Sequence, residues 1–155
     1  MIKDYEIKLG KGFDKVKLGM TRDQITELFG PPEETEEFNY ADGDHSISYY
    51  YNNLGFDLTF ESDNDYLLSY LSVHKKKFHI LDKIKIGMNK DQMLKAVKEL
   101  GFSQPEKEDL TDTDLPNQEL FSFDKENINL WFVDDILDEI EIGPYWKDDE
   151  TPIWP

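Results

Sequence analysis

The sequence predicts an α+β fold: a tandem duplication of a helix-plus-antiparallel-meander unit. The two units would form a continuous antiparallel sheet with both helices packed on one face. Three observations predict it. The stretch KVKLGMTRDQI, starting at Lys15, returns as KIKIGMNKDQM, starting at Lys83, and the shared Gly19 and Gly87 are 68 residues apart. Self-similarity at a fixed spacing marks a repeated structural unit. Each copy opens a helix with a capping box, Thr21 with Gln24 and Asn89 with Gln92. Each helix is then followed by three short runs of alternating apolar and polar residues, the period of half-buried strands.

Taken in order, residues 1–12 form a leader with a short strand or helical turn around Tyr5, Ile7 and Leu9. The first unit spans 13–80. Its helix runs over 22–29 with Ile25, Leu28 and Phe29 as the apolar stripe, and Gly30-Pro31-Pro32 stops it. Met20 and Ile25 sit where a hydrophobic staple joins its two partners, as do Met88 and Met93. Residues 33–44 read as a polar, acidic loop. Strands follow over 46–51, 54–60 and 67–73. In the second, Leu54, Phe56, Leu58 and Phe60 alternate with Gly55, Asp57 and Thr59. In the third, Leu67, Ser69, Leu71 and Val73 share one face, and Leu68, Tyr70 and Ser72 the other.

The second unit spans 81–142. Its helix, 90–100, carries Met93, Leu94, Val97 and Leu100 and ends at Gly101. An acidic loop, 107–117, precedes strands over 119–124, 128–133 and 136–142. Ile128, Leu130 and Phe132 point to the core, with Asn129 and Trp131 opposite. Ile136, Ile140 and Ile142 are expected inside, with Leu137, Glu139 and Glu141 outside. Residues 143–155 are an acidic, aromatic tail. One unit alone would bury only one sheet face and one helix, so the two are expected to share a core.

Composition bounds the function. At 155 residues the chain can bury a sizeable core, and 14% aromatic residues argue against disorder despite 33% charged residues. There is no cysteine, which removes disulfide frameworks and thiolate metal sites. No apolar run is long enough for a membrane-spanning helix, and the polar start MIKDYEIKLGKGF lacks a signal peptide's apolar stretch, so a cytoplasmic location is expected. A net charge of −17 repels nucleic acid and anionic membranes and attracts basic partners. The acidity peaks late: from Glu106 through Glu150 there are sixteen carboxylates against Lys107, Lys125 and Lys147.

The stretch LGMTRDQITELFGPP carries a resemblance. Its glycine-methionine turn, capped helix start and Gly-Pro helix end resemble the small outer-membrane assembly lipoproteins of the SmpA/OmlA (BamE) family. Two such units in tandem, each a helix before an antiparallel meander, resemble the β-lactamase inhibitory protein fold (BLIP-like). The resemblance implies a protein that binds another protein through its sheet. The lipoproteins carry a lipidated cysteine and the inhibitory proteins carry disulfides; this chain has neither.

No catalytic constellation stands out. His74 and His79 are five apart, which aligns them on neither a helix face nor a strand face. The acidic runs 42–45 and 112–114 lack the glycine and glutamate of a calcium loop. Glu139 and Glu141 lie on one strand face and are expected to be exposed, with nothing to split their pKa values. The chain is therefore expected to be non-enzymatic, without cofactor or metal, and to bind a basic protein such as a toxin domain. An immunity protein that neutralises a nuclease-type toxin fits these features, and a soluble assembly adaptor is the alternative. The expected binding face is the one opposite the core, with Asp57, Thr59, Tyr70, Asn129, Trp131, Glu139 and Glu141. Two rival arrangements are an aromatic tail that folds over Trp131, and a binding site on the 107–117 loop.

Overall fold

The computed structural model of the protein describes residues 2–110 and 117–155. The leader and the start of the first unit form a small antiparallel sheet of β1 (Ile7–Lys8), β2 (Gly12–Phe13) and β3 (Val16–Lys17). Helix α1 (Arg22–Phe29) follows, then strands β4 (Glu34–Asn39), β5 (His45–Tyr51) and β6 (Phe56–Glu61), a 3-10 turn (Ser62–Asn64) and β7 (Leu68–Val73). A connection holding the paired β8 (His79–Ile80) and β9 (Ile84–Lys85) leads to α2 (Lys90–Glu99). Strands β10 (Glu106–Asp109), β11 (Gln118–Phe123), β12 (Ile128–Val133) and β13 (Ile136–Ile142) come next. In the tail, β14 (Tyr145–Trp146) pairs with β15 (Pro152–Ile153).

Eight of these strands form one antiparallel sheet in the order β10-β11-β12-β13-β7-β6-β5-β4. The last strands of the two meanders meet at its centre, with Ile140 opposite Val73, Glu141 opposite Ser72 and Ile142 opposite Leu71. The sheet is wider than the six strands read from the sequence. The segments expected as acidic loops contribute the two edge strands, β4 and β10, and every residue of both is exposed. An edge strand wet on both faces shows no apolar alternation, and charged edges discourage pairing with another chain.

Both helices start as their sequences dictate. The Thr21 side chain accepts from the Gln24 amide while the Gln24 side chain accepts from the Thr21 amide, and Asn89 and Gln92 repeat the arrangement. Just before each cap, a glycine-methionine turn docks on the sheet. The Gly19 amide donates to the Leu68 carbonyl (2.9 Å) and the Leu68 amide returns a bond to the Met20 carbonyl (2.8 Å). Gly87, Met88 and Leu137 make the same pair of bonds, both 2.8 Å. Gly19 and Gly87 have φ of +90° and +100°, a backbone region closed to most side chains.

The docked leucine sits at a β-bulge in each meander. Between β6 and β7 the register jumps from Thr59–Tyr70 to Phe60–Leu68, so Ser69 is the extra residue. Between β12 and β13 it jumps from Trp131–Glu139 to Phe132–Leu137, so Asp138 is extra. A bulge moves one side of the strand to the other face. Leu68 and Leu137, expected outside, are therefore buried, and Ile136, expected inside, is 44% exposed. Leu54, expected to begin an inward run, lies in the turn before β6 and is exposed.

One apolar core lies between the sheet and a layer made of both helices, the leader and the β8–β9 connection. Phe56, Leu58, Phe60, Leu130 and Phe132 from the sheet join Ile25 of α1 and Met93 of α2 in it. Phe13, just after the leader, stacks edge-on against Phe56 and Phe78 at 5.2 and 5.1 Å, and Ile2 and Ile7 of the leader are buried in the same core, so the leader is part of this layer.

The bulge makes a sharp prediction. Leu137→Ala should destabilise the protein by about 2–5 kcal/mol, the cost of removing a fully buried leucine. Ile136→Ala should change stability by only about 0.5 kcal/mol. Urea unfolding of the two variants measures both, and comparable losses would reject the bulged register.

Candidate functional site

The sheet face opposite the helices is an acidic, half-buried surface. The seven residues expected there by alternation all lie on it: Asp57 and Thr59 on β6, Tyr70 on β7, Asn129 and Trp131 on β12, Glu139 and Glu141 on β13. Strand pairing lines them up across the sheet. Asn129, Glu141, Ser72, Asp57 and Tyr50 follow one another on β12, β13, β7, β6 and β5. A neighbouring row pairs Trp131 with Glu139 on one side of the centre, and Tyr70, Thr59 and Ser48 on the other.

The centre is a linked set of polar groups. Asn129 donates to Glu141 (2.9 Å), and the Ser72 hydroxyl donates to Glu139. His74 Nε2 is 3.6 Å from Asp57 Oδ1, close enough for an ion pair and too long for a hydrogen bond. That Asp57 oxygen is shut off from solvent and has no hydrogen-bond partner among the described residues. Towards β5, the Ser48 and Thr59 hydroxyls are 3.0 Å apart, and the Tyr50 hydroxyl donates to Glu36 (2.9 Å).

Glu139 and Glu141 are not the freely exposed pair expected from the sequence. They lie at the seam between the meanders, and burial pushes both carboxyls above their ordinary range. Glu61, on the same face, is pushed up to about 7, first by burial and then by Asp63. Burial raises the Tyr70 hydroxyl to about 12, with Glu61 and Glu141 adding to it. The Asp57 carboxylate holds His74 above the usual imidazole range.

Trp131 is half-buried, and its indole N–H donates to the Gln118 side chain (2.8 Å). The tail does not cover it. Trp154 packs on the turn at Gly19, and Tyr145 packs on Gly10 of the leader. The rival site on the 107–117 loop falls largely on residues 111–116, outside the described residues.

Charge is segregated along the same lines. Segments 34–73 and 106–142 hold 22 of the 34 carboxylates and only Lys107 and Lys125 of the 17 bases, a balance of −20. The remainder holds 12 carboxylates and 15 bases, a balance of +3. Lys107 points to the helix side, where it pairs with Glu119 at 2.8 Å. No lysine or arginine projects from the open face among the described strand residues.

Ser72, Glu61 and His74 are members of this site that the sequence reading left out. Glu61 and His74 fall one residue beyond the expected ends of their strands; Ser72 was read on the same face as Tyr70 and, as a small polar residue, was not singled out. Among the described residues no helix is long and apolar enough to cross a membrane, and no group of three or more side chains is arranged to hold a metal ion. Comparison of the chain with family models, curated proteins and solved structures finds no match.

The raised carboxyls give a pH prediction. Glu61 titrates near 4.5 when unfolded and about 7 when folded. Its contribution to stability is thus fully present below about 4.5 and is lost as the pH rises through about 7. Glu61→Gln should therefore raise the urea midpoint relative to the parent at pH 8 and leave it unchanged at pH 4. An equal shift at both values would show that Glu61 titrates normally.

Proposed function

We propose that the open sheet face docks a basic partner protein, and that the chain is a non-enzymatic acidic inhibitor. The reading that fits it best is an immunity protein that neutralises a basic, nuclease-type toxin in the cytoplasm of the cell that makes it. The observation that carries this is the segregated charge. A face with several half-buried carboxylates, and no lysine or arginine among its described strand residues, is complementary to a cationic surface. Such complementarity speeds association and excludes wrong partners. Trp131 beside Glu139 offers an aromatic anchor of the kind enriched at interface hot spots.

The recurrence of the glycine-methionine turn, the capping box and the bulge in both halves supports reading residues 13–80 and 81–142 as a tandem duplication. The resemblance to BamE-like units and to the BLIP-like arrangement rests on the same features. It also favours a second reading, a soluble assembly adaptor that uses the same face without inhibiting anything.

The test starts with capture of the partner from the source cell. Inhibition of a captured nuclease at one-to-one stoichiometry supports the immunity reading; a bound partner whose activity is unaffected supports the adaptor. In either case Trp131→Ala should weaken binding by about 2 kcal/mol or more, roughly thirtyfold, with little loss of thermal stability. Glu139→Gln combined with Glu141→Gln should mainly slow association, and less so at high salt. A partner that binds both variants normally would place the site elsewhere.

A further inference from the structure

The two glycine-methionine turns match in sequence and in docking, yet one is covered by the tail and the other is open. At the first, Trp154 packs on the turn. A Cβ at Gly19 would meet its indole ring at 3.1 Å, so the close approach depends on glycine. At the second, a Cβ on Gly87 would have one atom within 4 Å among the described residues, Cε of the exposed Lys76 at 3.7 Å. Gly87 is exposed where Gly19 is half-buried. A groove of about 530 Å³ opens there, lined by Lys85, Gly87, Met88, Gln92, Lys95 and Ala96. Lys85, Gln92 and Ala96 lie 68 residues after Lys17, Gln24 and Leu28. Lys17 shares a hollow with Pro155, the residue after Trp154. The groove is thus the counterpart of the Trp154 seat, and alanine in the place of leucine leaves it wider.

We propose that this open seat takes the tail of a second copy of the chain, with Trp146 as the side chain that enters it. The tail is the segment whose chemistry the matching seat already accommodates. Its other tryptophan, Trp146, is 40% exposed on the β14–β15 hairpin, and the exposed carboxylates Asp149 and Glu150 follow in the turn. The seat is charged to match: Lys85 and Lys95 line it and Lys76 reaches Gly87. Its acidic members are Asp82 and Glu99, and Glu99 is paired with Lys83 at 3.4 Å. Charge also selects this side for self-association. Two copies of a chain with a net charge of −17 repel through their sheet faces, whereas the helix, leader and tail side has a balance of +3. Hairpin and seat are neighbours there: Tyr145 shares an apolar groove with Leu81, and the next residue, Asp82, lines the seat. Adjacent donor and acceptor patches let two copies exchange tails about a two-fold axis, each contact made twice. Leu81, Tyr145, Trp146 and Ile153 are four of the nine large apolar side chains left exposed among the described residues, a concentration typical of an interface. The acidic sheet faces then point away from each other and stay open.

Sedimentation velocity of the full chain at up to about 1 mM, the weak end of specific association, tests this. A concentration-dependent dimer is expected, and Trp146→Ala should weaken it about tenfold or more. Two charge variants should each weaken it comparably: Lys85→Glu with Lys95→Glu in the seat, and Asp149→Lys with Glu150→Lys in the tail. All four residues are exposed, and the two variants move the net charge in opposite directions, so a general charge effect cannot weaken both. Mixed one to one, the two variants should recover a dimer, because each tail then meets a seat of opposite or native charge. A chain that stays monomeric throughout overturns the proposal, as does a dimer that none of these substitutions weakens or a mixture that fails to recover. Amide NMR of the chain with a peptide of residues 143–155 separates one further occupant. Shifts at Gly87, Gln92 and Lys95 in a chain that never dimerises would give the seat to an acidic tryptophan segment of another protein, and so overturn self-association.

Discussion

A glycine amide on a leucine carbonyl, and the leucine amide back on a methionine carbonyl, hold the start of each helix to the sheet. This small reciprocal contact has two consequences. It draws Leu68 and Leu137 into the core beneath the helix starts, where both are fully buried. It also requires an extra residue in the strand, Ser69 or Asp138, after which the side-chain alternation is reset. The identity of the open face follows from that reset. With the bulge in place, Tyr70 and Ser72, and Glu139 and Glu141, face away from the helices at the junction where β7 meets β13.

The two sides of the sheet then do opposite things for stability. The helix side joins the sheet, both helices and the leader in one apolar core. The open side gathers carboxylates where burial raises their pKa values, which weakens the fold at neutral pH. Natural proteins accept such losses where a binding surface needs charge in a fixed place. Fixed placement is what strand pairing provides: Asn129 braces Glu141, Ser72 braces Glu139, and His74 stands by Asp57.

Much of this was legible in the sequence, for physical reasons that also explain the gaps. The helices were readable because their caps are local chemistry: Thr21 with Gln24 and Asn89 with Gln92 form the expected boxes. The inward residues of β6 and β12 were readable because alternation there is unbroken. The bulges were hidden because each falls beside an apolar doublet, Leu67-Leu68 and Ile136-Leu137, and period two allows either member to point inward. The edge strands were hidden because both their faces are wet. The burial of Glu139 and Glu141 was hidden because it depends on β7, a strand some seventy residues earlier, lying alongside them. Only the assembled sheet carries that information.

Zero-length carbodiimide cross-linking of the chain to its captured partner tests the central claim most directly. It joins carboxylates to lysine amines already in contact, and mass spectrometry reads which carboxylates reacted. The account predicts bonds from partner lysines to open-face residues such as Glu36, Asp57, Glu61, Glu139 and Glu141. Bonds confined to the tail carboxylates Asp148, Asp149 and Glu150, or to Asp23 and Asp91 on the helix side, would contradict it.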